Sequence, residues 1–193
     1  MIVKLKRETK ETQISISLNL NGQGKYKIKT TIPFMDHMLT LFTAHSGFNI
    51  ELSAKGDTEI DEHHLVEDIG ITLGQAVKKA LGDKKGINRY GNFLLPMDEA
   101  LSYVALDISS RPCLVYKVKY SKAYKEKFNF DLLEDFFQAF SANAGITLHI
   151  EIKHGRNNHH MAESIFKGFA RALKQAVKKE SKSNKVPSTK GKL

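Results

Sequence analysis

Apolar and polar residues alternate through Ile14-Ser-Ile-Ser-Leu-Asn-Leu, which predicts a half-buried strand over residues 14–20. Asn21-Gly22 offers a turn, and residues 26–31 complete a plausible hairpin. Residues 33–45 place Phe34, Met38, Leu41 and Phe42 at helical spacing, with Gly47 where a helix C-terminus favours glycine. Residues 48–54 read as a strand again. Asp61 is placed to cap a long helix in which Leu65, Ile69, Leu73, Val77 and Leu81 recur every four residues before Gly82.

The second half repeats this order. Residues 100–108 and 113–120 are strand-like, residues 132–142 helix-like, and Gly145 takes the part of Gly47. Residues 146–152 form a strand, after which Asn158 is expected to cap a helix with Ile165, Phe169, Leu173 and Val177 on its apolar stripe. A duplication of strand, strand, helix, strand, helix accounts for the shared order. Helices grouped with antiparallel strands place the fold in the α+β class. The expected division is a first α/β repeat over 1–92, a second over 93–180, and a C-terminal tail over 181–193.

Composition narrows the function. A chain of 193 residues has room for one compact domain or two small, closely packed ones. No run approaches the roughly 18 apolar residues of a membrane span, and the N-terminal residues lack a secretory pattern, so a cytoplasmic protein is expected. With Cys113 as the one cysteine, a disulfide framework and a multi-thiolate metal site are excluded. The net charge of +9 favours anionic partners, either nucleic acid or a phosphorylated small molecule. Seven lysines fall from Lys174 onward, in a helix end and a solvated tail, which weakens the nucleic-acid reading.

The residue-level match between the halves is a motif. His63-His-Leu-Val-Glu67 stands against His159-His-Met-Ala-Glu163, each after a strand and a polar loop. On a helix, residues four apart share a face, so His63 with Glu67, and His159 with Glu163, can close on one ion. His64 and His160 are rotated by roughly 100° from their neighbours and point to a different ion, held mainly by the opposite repeat. Imidazole and carboxylate donors suit manganese, iron, cobalt or zinc, with open positions for a substrate.

These residues and their neighbours closely resemble the imidazoleglycerol-phosphate dehydratase family of histidine biosynthesis. The likeness runs from Arg7-Glu-Thr-Lys-Glu11 through Phe34-Met-Asp-His-Met38, Asp61-Glu-His-His-Leu-Val-Glu-Asp68 and Arg89-Tyr-Gly91 to Met97-Asp-Glu-Ala100. It continues through Ser109-Ser-Arg-Pro112, Thr147-Leu-His149 and Asn157-Asn-His-His-Met-Ala-Glu163 to Pro187-Ser-Thr-Lys-Gly191. The resemblance implies two ribosomal protein S5 domain 2-like modules whose sheets sandwich four helices. It also implies two Mn2+ ions per active site, one on His37, His64, His159 and Glu163, the other on His63, Glu67, His160 and Asp135. Relatives often carry histidine, and some glutamate, at the position of Asp135.

The same resemblance implies trimers assembled into a 24-subunit shell, with metal sites formed between subunits. It assigns Glu11 to substrate contact, Glu67, Asp98 and Glu163 to proton transfer, and Arg89, Arg111, Lys167, Ser188 and Lys190 to the substrate phosphate. The reaction removes water from imidazole glycerol phosphate to give imidazole acetol phosphate. The departing proton sits beside an imidazole ring with no carbonyl to acidify it, so an electron sink is needed. A ring held through both nitrogens as an imidazolate, passing through a diazafulvene-like intermediate, would provide it. Two competing readings are a dinuclear hydrolase, which would release inorganic phosphate, and a basic nucleic-acid module, whose binding would survive chelation.

Overall fold

A computed structural model describes residues 1–122, 127–179 and 185–191. The first half runs β1 (Ile2–Glu8), β2 (Thr12–Asn19), β3 (Tyr26–Lys29), α1 (Pro33–Ser46), β4 (Asn49–Gly56) and α2 (His63–Leu81). The second runs β5 (Tyr90–Met97), β6 (Ala100–Asp107), β7 (Cys113–Lys117), α3 (Leu132–Ala144), β8 (Thr147–His154) and α4 (Asn158–Val177). The sheets have matching orders, β1-β2-β4-β3 and β5-β6-β8-β7. The protein is therefore an internally duplicated α+β fold, and each repeat has one strand more than the sequence pattern predicts.

The extra strands also correct the expected hairpin. The antiparallel partner of β2 is β1, while β3 crosses to the far side and pairs parallel to β4. Both sheets are consequently mixed, because β7 and β8 repeat the parallel pairing. Strand β1 escapes the pattern because only Val3 is buried and its outward positions after Ile2 are the charged Lys4, Lys6 and Glu8, as suits a sheet edge. A Thr9 turn ties it to β2: the Thr9 hydroxyl accepts from Glu11 N at 3.1 Å and Thr12 N at 2.9 Å. Strand β5 is an edge too, carrying Pro96 and the exposed Tyr90 and Leu94.

The helices lie between the sheets. Helix α2 packs on β1, β2 and β4, α4 packs on β5, β6 and β8, and the repeats meet where α1 crosses α4 and α2 crosses α3. The stripes predicted for these helices are buried, Leu65, Ile69, Leu73, Val77 and Leu81 on α2 and Ile165, Phe169 and Leu173 on α4, with Val177 partly buried at the end of α4. Phe42 of α1 stacks on Phe169 of α4 with ring centroids 5.2 Å apart. Burying such a side chain contributes about 1.5–3 kcal/mol, so these seams fix how the repeats dock.

Two local features set the site. Helices α1 and α3 end on Gly47 and Gly145, both left-handed at φ 74° and 69°, each donating to the carbonyl four residues back. That places the two helices in the same frame. Helix α2 approaches α3 so closely that a Cβ on Gly70 would lie 2.5 Å from the Phe136 carbonyl oxygen, which brings Asp135 beside His63.

Candidate metal centre

The histidine pairs sit in first turns fixed by side-chain caps, the expected Asp61 on α2 and, one residue before the expected one, Asn157 on α4. On α4 the cap is Asn157, whose side chain accepts from His159 N at 2.9 Å and His160 N at 3.3 Å. Asn158, the expected cap, is buried instead, and its side-chain Oδ1 accepts from Ser121 N at 3.0 Å. The extended backbone of Asn157 explains the shift, since a capping side chain must fold back over the first turn from a non-helical residue. On α2 the residue before the helix is Glu62, but Asp61 does the capping, accepting from His63 N at 2.8 Å.

One convergent group of donors follows. Glu163 Oε1 lies 2.9 Å from His159 Nε2 and 3.0 Å from His37 Nε2, and its other oxygen lies 2.5 Å from Lys167 Nζ. Burial pushes the Glu163 carboxyl up, but the hydrogen bonds from Lys167, His37 and His159 outweigh it and hold the group at about 2. It is an anion throughout the physiological range. The donor atoms of His37, His159 and Glu163 all lie within 4.8 Å of one another, two imidazole nitrogens and one carboxylate oxygen, a set that fits a divalent transition metal. Beside it opens an apolar cavity of about 460 Å³ lined by Phe34, Phe128 and Phe130, with Phe34 edge-on to His159 at 5.5 Å.

The duplication places a counterpart with the repeats exchanged, its pair on α2 and its single residue on α3. His37 is ten residues before Gly47 and Asp135 is ten before Gly145, so Asp135 is the equivalent of His37. It lies 3.4 Å from His63 Nδ1, while Glu67 lies 3.9 Å from His63 Nε2. These two acids flank opposite nitrogens of one ring and do not converge on a point. His63, Glu67 and Asp135 are gathered, yet closing them on one ion requires the His63 ring to turn.

His64 and His160 join neither group within the chain. His64 Nδ1 meets Asp57 at 3.1 Å and Glu11 at 3.9 Å, and His160 Nδ1 meets Glu99 at 2.7 Å. Hydrogen bonds to Asp57 and Glu99 raise the pKa of His64 and His160 respectively, and Glu99 is pulled down to about 2, first by His160 and then by Asn157 N–H. The expected crossing of these histidines into the opposite repeat's set is thus not made inside one chain. Glu11, Asp57 and His64 form a second group with donor atoms within 4.8 Å.

The remaining predicted residues divide into two places. Lys167 stands at the chelating group, whereas Arg89, Arg111, Ser188 and Lys190 belong to a region around Asp107 and the C-terminal segment. Arg89 donates to Asp107 at 2.7 and 3.1 Å and to the Pro187 carbonyl at 2.9 Å, and the Asp107 bond raises its pKa further. Arg111 is exposed, 3.9 Å from Asp107. Ser188 accepts from Lys190 N at 3.2 Å, and Gly86 N donates to the Lys185 carbonyl at 3.0 Å, so residues 185–191 lie against the loop before β5. Residues 181–184 and 192–193 of the expected tail fall outside the described residues.

Asp98 is exposed at φ 48° in the β5–β6 turn, 3.7 Å from His160 Nε2. Sequence reasoning missed Asp57, Glu99 and Asp107. Glu99 was findable, because it precedes β6 as Glu11 precedes β2. Asp57 and Asp107 carry no comparable signal.

Comparison with known proteins is consistent over the whole chain. The family model for imidazoleglycerol-phosphate dehydratase matches residues 30–173. The imidazoleglycerol-phosphate dehydratase of Endomicrobium trichonymphae is 58% identical over 188 residues, covering 97% of this chain and 96% of that protein. That of Syntrophus aciditrophicus is 53% identical, covering 97% and 95%. The crystal structure of the Staphylococcus aureus enzyme superposes with a TM-score of 0.84 at 42% identity, covering 93% of this chain and 100% of that one. The Pyrococcus furiosus structure gives 0.86 at 39% identity, covering 98% and 100%.

Proposed function

The chain belongs to the imidazoleglycerol-phosphate dehydratase family and is a hydro-lyase of histidine biosynthesis, and from that premise we propose a dehydration that depends on two divalent cations, Mn2+ by preference. The observation that carries the metal reading is the convergence of His37, His159 and Glu163 donors within 4.8 Å. Its counterpart set, His63 and Glu67 of the first repeat with Asp135 of the second, stands at the equivalent positions with the repeats exchanged. His64 would complete the first set and His160 the second, each supplied by a neighbouring copy in a shell of 24 subunits built from trimers. Held by these residues, the cations would supply the electron sink that the carbon beside an imidazole otherwise lacks.

The chain's own residues do the rest. Glu163, an anion held by Lys167, keeps a negative oxygen between two imidazoles and would transfer protons as well as ligate. Asp98, near His160 Nε2, and Glu11, near His64, are exposed acids on the reacting side. Glu67 serves His63 as Glu163 serves His159. Arg89, Arg111, Ser188 and Lys190 of one copy, with Lys167 of another, would receive the phosphate, and Asp107 orients the Arg89 fork. Residues 185–191 would close on the substrate from the position they already hold against Arg89.

Mn2+-loaded protein is expected to convert imidazole glycerol phosphate to imidazole acetol phosphate with no release of inorganic phosphate. Absence of turnover by the assembled, loaded protein would overturn the reading. A second expectation follows from protonation. Ligand histidines must be neutral, whereas His64 and His160 are held protonated to higher pH than an ordinary imidazole. Metal binding near pH 7 should therefore release protons, and the release should shrink as pH rises through their raised range. Calorimetric titration in buffers of different ionisation enthalpy reads this directly. Heats independent of buffer would contradict it.

A further inference from the structure

We propose that Glu99 and Asp57 are positioning residues, each fixing through Nδ1 the tautomer of the histidine that its repeat offers outward, Glu99 for His160 and Asp57 for His64. The inference rests on the reading of those histidines as ligands. An ionised carboxylate only accepts hydrogen bonds, so the His160 Nδ1, 2.7 Å from Glu99 Oε2, carries the proton. Nε2 is left with its lone pair toward the side where Asp98 stands, 3.7 Å away. The same holds for His64, whose Nδ1 lies 3.1 Å from Asp57 Oδ2. A carboxylate behind an imidazole is the arrangement that orients a ligating ring and raises its basicity.

Glu99 is not free to ligate in its own right. Its Oε1 accepts from Asn157 N at 2.9 Å and Arg156 N at 3.4 Å, while Oε2 is taken by His160. It therefore ties one ring to the backbone that caps α4. Asp57 has its Oδ1 buried with no hydrogen-bond partner among the described residues. A buried oxygen left unpaired destabilises the fold, a cost that the orienting task of the other oxygen accounts for.

The duplication shows how the labour was divided. Glu11 and Glu99 are equivalent, each preceding the second strand of its sheet. In the first repeat the residue after β4 is Asp57, which takes the histidine and leaves Glu11 more than half exposed, 3.9 Å from the ring. In the second repeat the residue after β8 is Gly155, followed by Arg156, so no acid is available there and Glu99 must orient the ring itself. One glutamate of the pair is thereby released toward the substrate and the other is retained behind a ligand.

The test is Mn2+ titration calorimetry on the assembled full-length protein, with metal content and the melting temperature of the metal-free chain measured alongside. Glu99→Gln keeps a carbonyl oxygen for Asn157 N–H but turns an amide donor toward Nδ1, which drives the ring proton onto Nε2. It is expected to melt like the native chain and to weaken the affected site about 100-fold, whereas Glu99→Ala, free to adopt either tautomer, loses about 10-fold. Asp57→Asn should act in the same way on the other site. Native affinity in Glu99→Gln overturns the proposal, as does equal loss in Gln and Ala, which would mark Glu99 as a ligand or a fold anchor. If the Ala variant fails to assemble, Glu99→Asp decides, because its shortened reach should weaken binding about 10-fold and unchanged affinity overturns the idea. His160→Ala separates the two failures: full metal content and affinity in that variant would remove His160 as a ligand and sink the underlying reading instead.

Discussion

Replacing Glu163 by glutamine is expected to lower the turnover of Mn2+-loaded protein by about 10³-fold, within the range that loss of a positioned acid–base group produces. Glu163 is where three cationic or donor groups meet. One carboxylate oxygen serves His37 and His159, and the other serves Lys167. An amide can satisfy one side only. Either the chelating oxygen becomes a nitrogen that cannot ligate, or Lys167 faces a donor. Glu163 is buried, so leaving these partners unmatched should also cost roughly 1–3 kcal/mol of stability in the metal-free chain. Turnover, metal content and a thermal melt check the three parts together. Native turnover with native metal content would show that Glu163 neither ligates nor transfers protons.

The second large effect is a rescue. His64→Ala and His160→Ala are each expected to assemble poorly, lose metal and be nearly inactive when pure. If each active site combines the α4 histidines of one copy with the α2 histidines of another, a randomly co-assembled equal mixture contains sites that draw both intact residues from different parents. About a quarter of the sites should then be native in composition, and activity should rise from near zero to about that fraction. Separate refolding of the two variants followed by mixing after assembly is the control. Activity no greater than the mean of the parents would show that all ligands of a site come from one chain.

Much of this was legible in the sequence because period and motif are local properties. The stripes of α2 and α4 follow from four-residue recurrence, and the paired His-His-x-x-Glu quintets mark their first turns. The equivalence of Asp135 with His37 could be counted from Gly145 and Gly47, and that of Glu99 with Glu11 from the strands they precede. The edge strands were not legible. Charged outward positions on β1 and Pro96 with exposed apolar residues on β5 erase the alternation that a half-buried strand shows. The path of β3 was also hidden, because Asn21-Gly22 looks like a hairpin turn whichever strand receives the chain.

Long-range partners were beyond reach for a different reason. The Arg89–Asp107 pair joins residues 18 apart through strand register, and Asp57 meets His64 only because the loop before α2 folds back. Nothing in spacing predicts either. Whether a histidine turns inward or toward a neighbouring copy is likewise a property of packing. The chain itself displays this for His64 and His160, which meet Asp57 and Glu99 instead of the opposite set.

Anomalous scattering at the manganese edge from crystals of catalytically active protein tests the central claim most directly. Two peaks per active site are predicted, one among His37, His159 and Glu163 and the other among His63, Glu67 and Asp135, with His64 and His160 reaching them from an adjacent copy. Active crystals without peaks at these residues, or with both ions held wholly within one chain, would contradict the account.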